Sequence, residues 1–204
     1  MRTVYLDYAA TTPLDERVFE AMLPYLKDNF GNANSIHHLG QQAKVVVEDA
    51  RESIAAAIGA EPSEIIFTSG GTESDNAAIK GVLTASGAKN EIISSEIEHH
   101  AVLHTVEMSK IGGYKTLFAE CNSSGVITPG AVEKLITDKT AVVSIMHVNN
   151  EIGTVNAVTE IAQICKSHKI PFHTDAVQAL GQLPLDLRGL DAAAVTLSSH
   201  KIGG

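Results

Sequence analysis

Apolar runs and helical patterns alternate along most of this chain, and that alternation restricts its fold more than any other feature. The apolar runs lie at residues 64–68, 91–94, 115–118, 141–146, 170–173 and 192–197, and helical patterns fall between them at 72–83, 101–110, 129–136 and 159–168. Strand, helix, strand on this spacing predicts an α/β layer structure with a mostly parallel sheet. Ahead of it, residues 15–25 predict a helix with Val18, Met22 and Tyr25 on one buried face, and 41–58 predict a longer one. The Gly-, Asn- and Ser-rich stretch between them, 31–40, is expected to be an exposed loop. No repeat, low-complexity tract or Pro-rich linker divides the chain. Residues 15–204 are therefore expected to form one unit, with residues 1–14 an arm or a contribution to a second domain.

Composition removes several classes of function. With 44% hydrophobic and 19% charged residues the chain is expected to be globular, and it has no apolar run of the roughly 18 residues that a membrane span needs. A formal charge of −9 and the lack of any Lys/Arg run argue against nucleic acid as a partner. Two cysteines, Cys121 and Cys165, suggest no disulfide framework, and the first residues hold no signal-like apolar stretch, so a cytoplasmic location is expected.

Five segments carry chemistry. The string Thr68-Ser69-Gly70-Gly71-Thr72-Glu73-Ser74-Asp75-Asn76 is a double-glycine turn running into a helix, whose free amides suit a phosphate; alternatively Thr72 is a plain N-cap. Glu98-His99-His100-Ala101-Val102-Leu103-His104 gathers three histidines. His100 and His104 have the spacing of a metal pair, but no catalytic Glu stands between them, so acid/base, ring-stacking or ordinary polar roles weigh more and no metal is assigned. Met146-His147-Val148-Asn149-Asn150-Glu151-Ile152-Gly153 follows a predicted strand, where open α/β sheets bind ligands, although Asn-Asn also makes ordinary turns. Asp175, ending another strand, is either a helix cap or a functional carboxylate. Ser198-Ser199-His200-Lys201 brings an amine to a polar strand end, the setting of a Schiff-base lysine as well as of many surface lysines. Taken together and in order, they supply what pyridoxal 5'-phosphate needs: an anion site, a neighbour for the ring, a carboxylate for its nitrogen and an amine for its aldehyde.

With Tyr5-Leu6-Asp7-Tyr8-Ala9-Ala10-Thr11-Thr12, Gly31-Asn32-Ala33-Asn34-Ser35-Ile36-His37 and His173-Thr174-Asp175-Ala176-Val177-Gln178 added, these strings resemble cysteine desulfurases of the NifS/IscS type. These are class V aminotransferase-like, fold type I pyridoxal-phosphate enzymes. The resemblance implies a three-layer large domain of the aspartate aminotransferase kind, present as its N-terminal portion, with residues 1–14 contributing to a small domain whose C-terminal part is missing. It implies that Lys201 binds the cofactor aldehyde and then shuttles a proton at the substrate Cα, while Asp175 keeps the ring nitrogen protonated. His99 would stack on the ring and aid proton transfer, Gln178 would bond the phenolic oxygen, and Asn150 would lie at the ring and substrate end. Gly71, Thr72, Ser198 and His200 would hold the phosphate.

The implied reaction converts L-cysteine to L-alanine and moves sulfur through an enzyme persulfide to an iron-sulfur scaffold or other acceptor, in a homodimer. Ala33 and Asn34 depart from the family's Asn-Pro-Ser-Ser loop, a change in loop stiffness rather than chemistry. Cys121 and Cys165 match no catalytic cysteine of the family, and neither the sulfur-accepting Cys nor the carboxylate-binding Arg is found, so the sequence reads as an N-terminal fragment. Two alternatives share the motifs: another class V enzyme, such as an aminotransferase or selenocysteine lyase, and a non-catalytic protein that keeps the fold for interaction.

Overall fold

The computed structural model describes residues 2–204. Five strands, β1 (Glu91–Ser95), β2 (Lys115–Ala119), β3 (Thr140–Ser144), β4 (Phe172–Asp175) and β5 (Ala194–Thr196), form one sheet in the order β2-β1-β3-β4-β5, with every pairing parallel. Helices α1 (Glu16–Lys27) and α2 (His38–Ile58) precede the sheet, and α3 (Gly71–Ala85), α4 (His100–Met108), α5 (Pro129–Glu133) and α6 (Val158–Ser167) lie between or beside its strands in sequence.

Neighbouring residues on a strand face opposite ways, and the sheet is apolar on both sides as a covered parallel sheet must be. Ile92 and Val142 pack with Ile79 and Leu83 of α3 and Val102 and Val106 of α4. Ile93, Val143 and Phe172 pack on the other side with Val132 of α5 and Val158, Ile161 and Cys165 of α6. This is the expected three-layer α/β arrangement. Phe172 is 1% exposed, and burial of such a ring stabilises the fold by roughly 1.5–3 kcal/mol.

Three expectations are corrected. Residues 64–68 form no strand: Ile65 is extended, but the segment has no partner in the sheet. It is held from α2 instead, where Arg51 donates to the Ile65 carbonyl and lies 4.9 Å from the centre of the Phe67 ring. Helix α1 forms as predicted, with Asp15 accepting the Arg17 N–H as its cap, but it buries no residue. Val18 is half-buried, whereas Met22 and Tyr25 are 43% and 47% exposed, because no described element covers that stripe. Helix α2 starts inside the predicted loop, since the His37 ring accepts the Gly40 N–H and caps it at His38. Among the described residues no helix is long and apolar enough to cross a membrane.

Candidate active site

All strands run the same way, so their carboxyl ends share one rim. The sheet order turns back between β1 and β3, where the chain leaves neighbouring strands toward opposite sides and opens a crevice. A cavity of about 500 Å³ lies there, and its wall includes Gly71, Thr72, His99, Asn150, Asp175, Gln178, Ser198, His200 and Lys201. All nine residues singled out from the sequence thus meet in one place.

One end of the cavity is the start of α3. Gly70, not Thr72, is the cap residue, and no side chain caps the helix, which leaves first-turn N–H groups without an intrahelical partner. A Cβ on Gly71 would sit 3.3 Å from Val177 Cγ2 and near Thr196 and Ser198, so this glycine keeps the wall thin where the helix meets β5. Thr72, Ser198 and His200 add donors, and the combination could receive an anion. The floor comes from β4, whose period of two sends Phe172 into the α5/α6 core and turns His173 and Asp175 toward α3. Asp175 is 5% exposed and accepts the Val177 N–H at 2.9 Å. Burial raises its pKa, opposed by that bond and by His99 and Lys201 nearby.

Lys201 lies in a short 3-10 turn (Ser199–Lys201) just past β5 and is half-buried. Its Nζ donates to the carbonyls of Ala9 and Ala10, at 2.5 and 2.8 Å. The N-terminal segment lies over this turn: Gln178 donates to the Ala9 carbonyl, Thr11 Oγ1 meets His200 Nδ1 at 3.1 Å, and Thr12 bonds the His200 carbonyl and Gly203 N–H.

The Asn-Asn turn divides its work. Asn149 is 4% exposed and ties the turn down by donating to the Ile97 carbonyl and accepting the Glu151 and Ile152 N–H groups, which leaves Asn150 at the cavity. Of the three histidines only His99 reaches it. His99 caps α4 by accepting the Ala101 N–H, whereas His100 and His104 stack at 5.4 Å along an adjoining groove beside Lys80 that shares Thr72 and His99 with the cavity. Cys165 is buried in the α6 core with its thiol pushed up to about 12, an unreactive packed group; Cys121 is exposed.

Sequence reasoning passed over three residues beneath the site: Asp75, Glu98 and His173. Each lies inside a string already singled out, and the available signal was a polar residue where the helix or strand period points inward. Glu98 accepts from Ser95 Oγ and the Met146 N–H, and burial raises its carboxyl to about 8. His173 is fully buried between Ser144 Oγ at 2.8 Å and Thr196 Oγ1 at 3.1 Å, with burial lowering it to about 4.

These two shifts act on stability in different pH windows. A buried acid with a raised pKa keeps its proton while the unfolded chain loses its own, so Glu98 costs stability as pH rises from its ordinary value to about 8. His173 costs stability only as pH falls from 6.5 toward about 4, because above that window it is neutral in both states. Between pH 6.5 and 8 the denaturant midpoint should therefore fall with rising pH, and Glu98→Gln should make that fall shallower, the remainder coming from Asp75, which burial also raises to about 8. An equally steep decline in the variant would exonerate Glu98.

A parallel sheet with an anion site, a buried carboxylate and a lysine on one rim defines the class. The aminotransferase class V family model matches residues 4–204, and the chain belongs to that family. Its relatives narrow the class: it is 48% identical over its whole length to the cysteine desulfurase IscS of Dictyoglomus turgidum, of which it covers 52%. Among solved structures, a NifS-like protein matches with a TM-score of 0.95 at 40% identity, covering 98% of this chain and 56% of that one. SspA in complex with cysteine matches with a TM-score of 0.95 at 40% identity, covering 99% of this chain and 58% of that one. The chain spans about half the length of the curated relatives it matches.

Proposed function

We propose that this chain is the cofactor-holding part of a pyridoxal-phosphate-dependent cysteine desulfurase. The observation that carries the reading is the convergence of Lys201, Asp175 and the uncapped start of α3 on one cavity. The residues present fit the cofactor: donors without partners and a glycine wall suit a phosphate, a buried carboxylate suits a ring nitrogen, and an amine shares the same space. When bound, pyridoxal 5'-phosphate supplies an aldehyde for amines and a ring that withdraws electrons from the substrate Cα.

In this reading Gly71, Thr72, Ser198 and His200 hold the phosphate, and Asp175 keeps the ring nitrogen protonated. Gln178 donates to the phenolic oxygen, Asn150 borders the ring and substrate, and His99 flanks the ring and assists proton transfer. Lys201 would hold the aldehyde and would carry the proton at the substrate Cα. The carbonyls of Ala9 and Ala10 accept from this amine and orient it; a neutral amine has two N–H donors for them and keeps its lone pair for attack.

L-Cysteine is the proposed substrate, favoured by the names of the relatives and by a similar structure described as a complex with cysteine. The products are L-alanine and a persulfide passed to an iron-sulfur scaffold or another acceptor, in a cytoplasmic homodimer. Neither packed Cys165 nor Cys121, which does not line the cavity, is assigned the sulfur. The full-length protein loaded with pyridoxal 5'-phosphate should convert L-cysteine to equal amounts of L-alanine and transferable sulfur. Formation of a keto acid instead would assign it to the aminotransferases, and no alanine at all would overturn the reading.

A further inference from the structure

Beside Asp175, on the wall of the same cavity, lies a second carboxyl that the proposed chemistry leaves without a task. Asp75, in α3, is 1% exposed, and its Oδ1 has no hydrogen-bond partner. The nearest polar atoms of Asp75, His99 and Asp175 all lie within 4.8 Å of one another. Two carboxylates this close in a buried setting do not both ionise, so the pair carries one proton near neutral pH.

The surroundings decide which carboxyl keeps that proton. Asp175 accepts the Val177 N–H and feels the two basic groups His99 and Lys201. Asp75 shares His99 with Asp175, lies beside the Thr196 hydroxyl, and otherwise has an uncharged imidazole next to it, His173 Nε2 at 3.5 Å. That ring does not neutralise it: both its nitrogens face hydroxyls, and burial keeps it uncharged. Thr196 Oγ1 also meets Ser74 Oγ, so the uncharged ring is held at both nitrogens by hydroxyls that are themselves bonded or buried. The other titratable neighbours do not reverse the choice. Burial keeps Glu98 protonated, so it adds no charge beside either aspartate, and Glu73 of α3 is turned away to the Ser69 N–H. His200 is held by Thr11 at the far side of the cavity's lysine turn.

We propose that Asp75 is a positioning residue that retains a proton and thereby assigns the single negative charge of the pair to Asp175. The inference rests on the reading of Asp175 as the partner of the cofactor's ring nitrogen, since a charge shared with Asp75 would be drawn back from that partner. Asp75 then works as a neutral acid, whose closest chemical equivalent is an asparagine. Burial and the Asp175 charge both push its carboxyl well above the usual carboxylate range.

The test is a carboxyl-carbon NMR titration of the full-length, aspartate-labelled protein without cofactor, the Asp75 signal being identified by its loss in Asp75→Asn. Asp75 should be protonated at pH 7, and Asp175 should be charged there. The pair should lose its protons in two separated steps, of which the upper one vanishes in Asp75→Asn. Pyridoxal 5'-phosphate affinity should stay within roughly threefold in Asp75→Asn, less than the tenfold that corresponds to one pKa unit. An Asp75 already ionised at pH 7, or a loss of more than about tenfold in Asp75→Asn, would overturn the proposal. The titration needs no cofactor to bind, and Asp75→Asn serves in it only to assign a signal. A chain that titrates as expected but never binds pyridoxal 5'-phosphate therefore refutes the cofactor reading and not the charge assignment.

Discussion

Lys201→Ala is expected to abolish covalent capture of pyridoxal 5'-phosphate: after borohydride treatment the full-length variant should show the unmodified mass, while the parent protein gains one cofactor. No other lysine lines the cavity, so no substitute amine is at hand. Loss of both the attaching amine and the proton carrier should lower cysteine turnover by on the order of 10³-fold or more. Cofactor held through α3, Ser198 and His200 should still be detectable as a dialysable fraction. An undiminished borohydride adduct would move the attachment to another lysine.

Asp175→Asn should separate function from folding. Asparagine is nearly isosteric and its oxygen can keep the Val177 N–H bond, but it cannot hold a ring nitrogen protonated. Turnover should fall on the order of a hundredfold or more, the scale seen when one preorganised electrostatic partner is removed. Stability should move the other way. Burial raises the Asp175 pKa, so ionising it costs the folded state, and the variant's denaturation midpoint at pH 8 should equal or exceed the parent's. Full activity would remove Asp175 from the role given to it, and a collapse in stability would show that its charge is structural.

What could be read from the sequence followed from how locally each feature is encoded. β1, β3 and β4 are legible because strands buried on both faces are short apolar runs, and the half-buried edge strands β2 and β5 keep enough of that signature, although β4 lies two residues later than its run suggests. Residues 64–68 carry the same apolar signature and form no strand, because pairing depends on a neighbour and not on the segment itself. The stripe on α1 is the same lesson in a helix: periodicity shows that a face is apolar, not that anything covers it. The nine cavity residues were legible through motifs, but the division of labour between Asn149 and Asn150 was not, since it depends on the Ile97 carbonyl 52 residues away. Asp75 and His173 were invisible as a pair because nothing in either string records that α3 crosses above β4.

The bonds from Lys201 to the Ala9 and Ala10 carbonyls join chain segments more than 190 residues apart, across all five strands. Doubling a loop costs only about 0.6 kcal/mol, so sheer length is a minor penalty; the larger consequence is order of assembly. These contacts have no scaffold until β5 has docked on β4, which makes the cavity a late-forming and early-opening part of the fold. A ligand that grips α3 and Lys201 together bridges that seam and stabilises the closed state by mass action. Loss of cofactor and loosening of the N-terminal segment are then two views of one equilibrium.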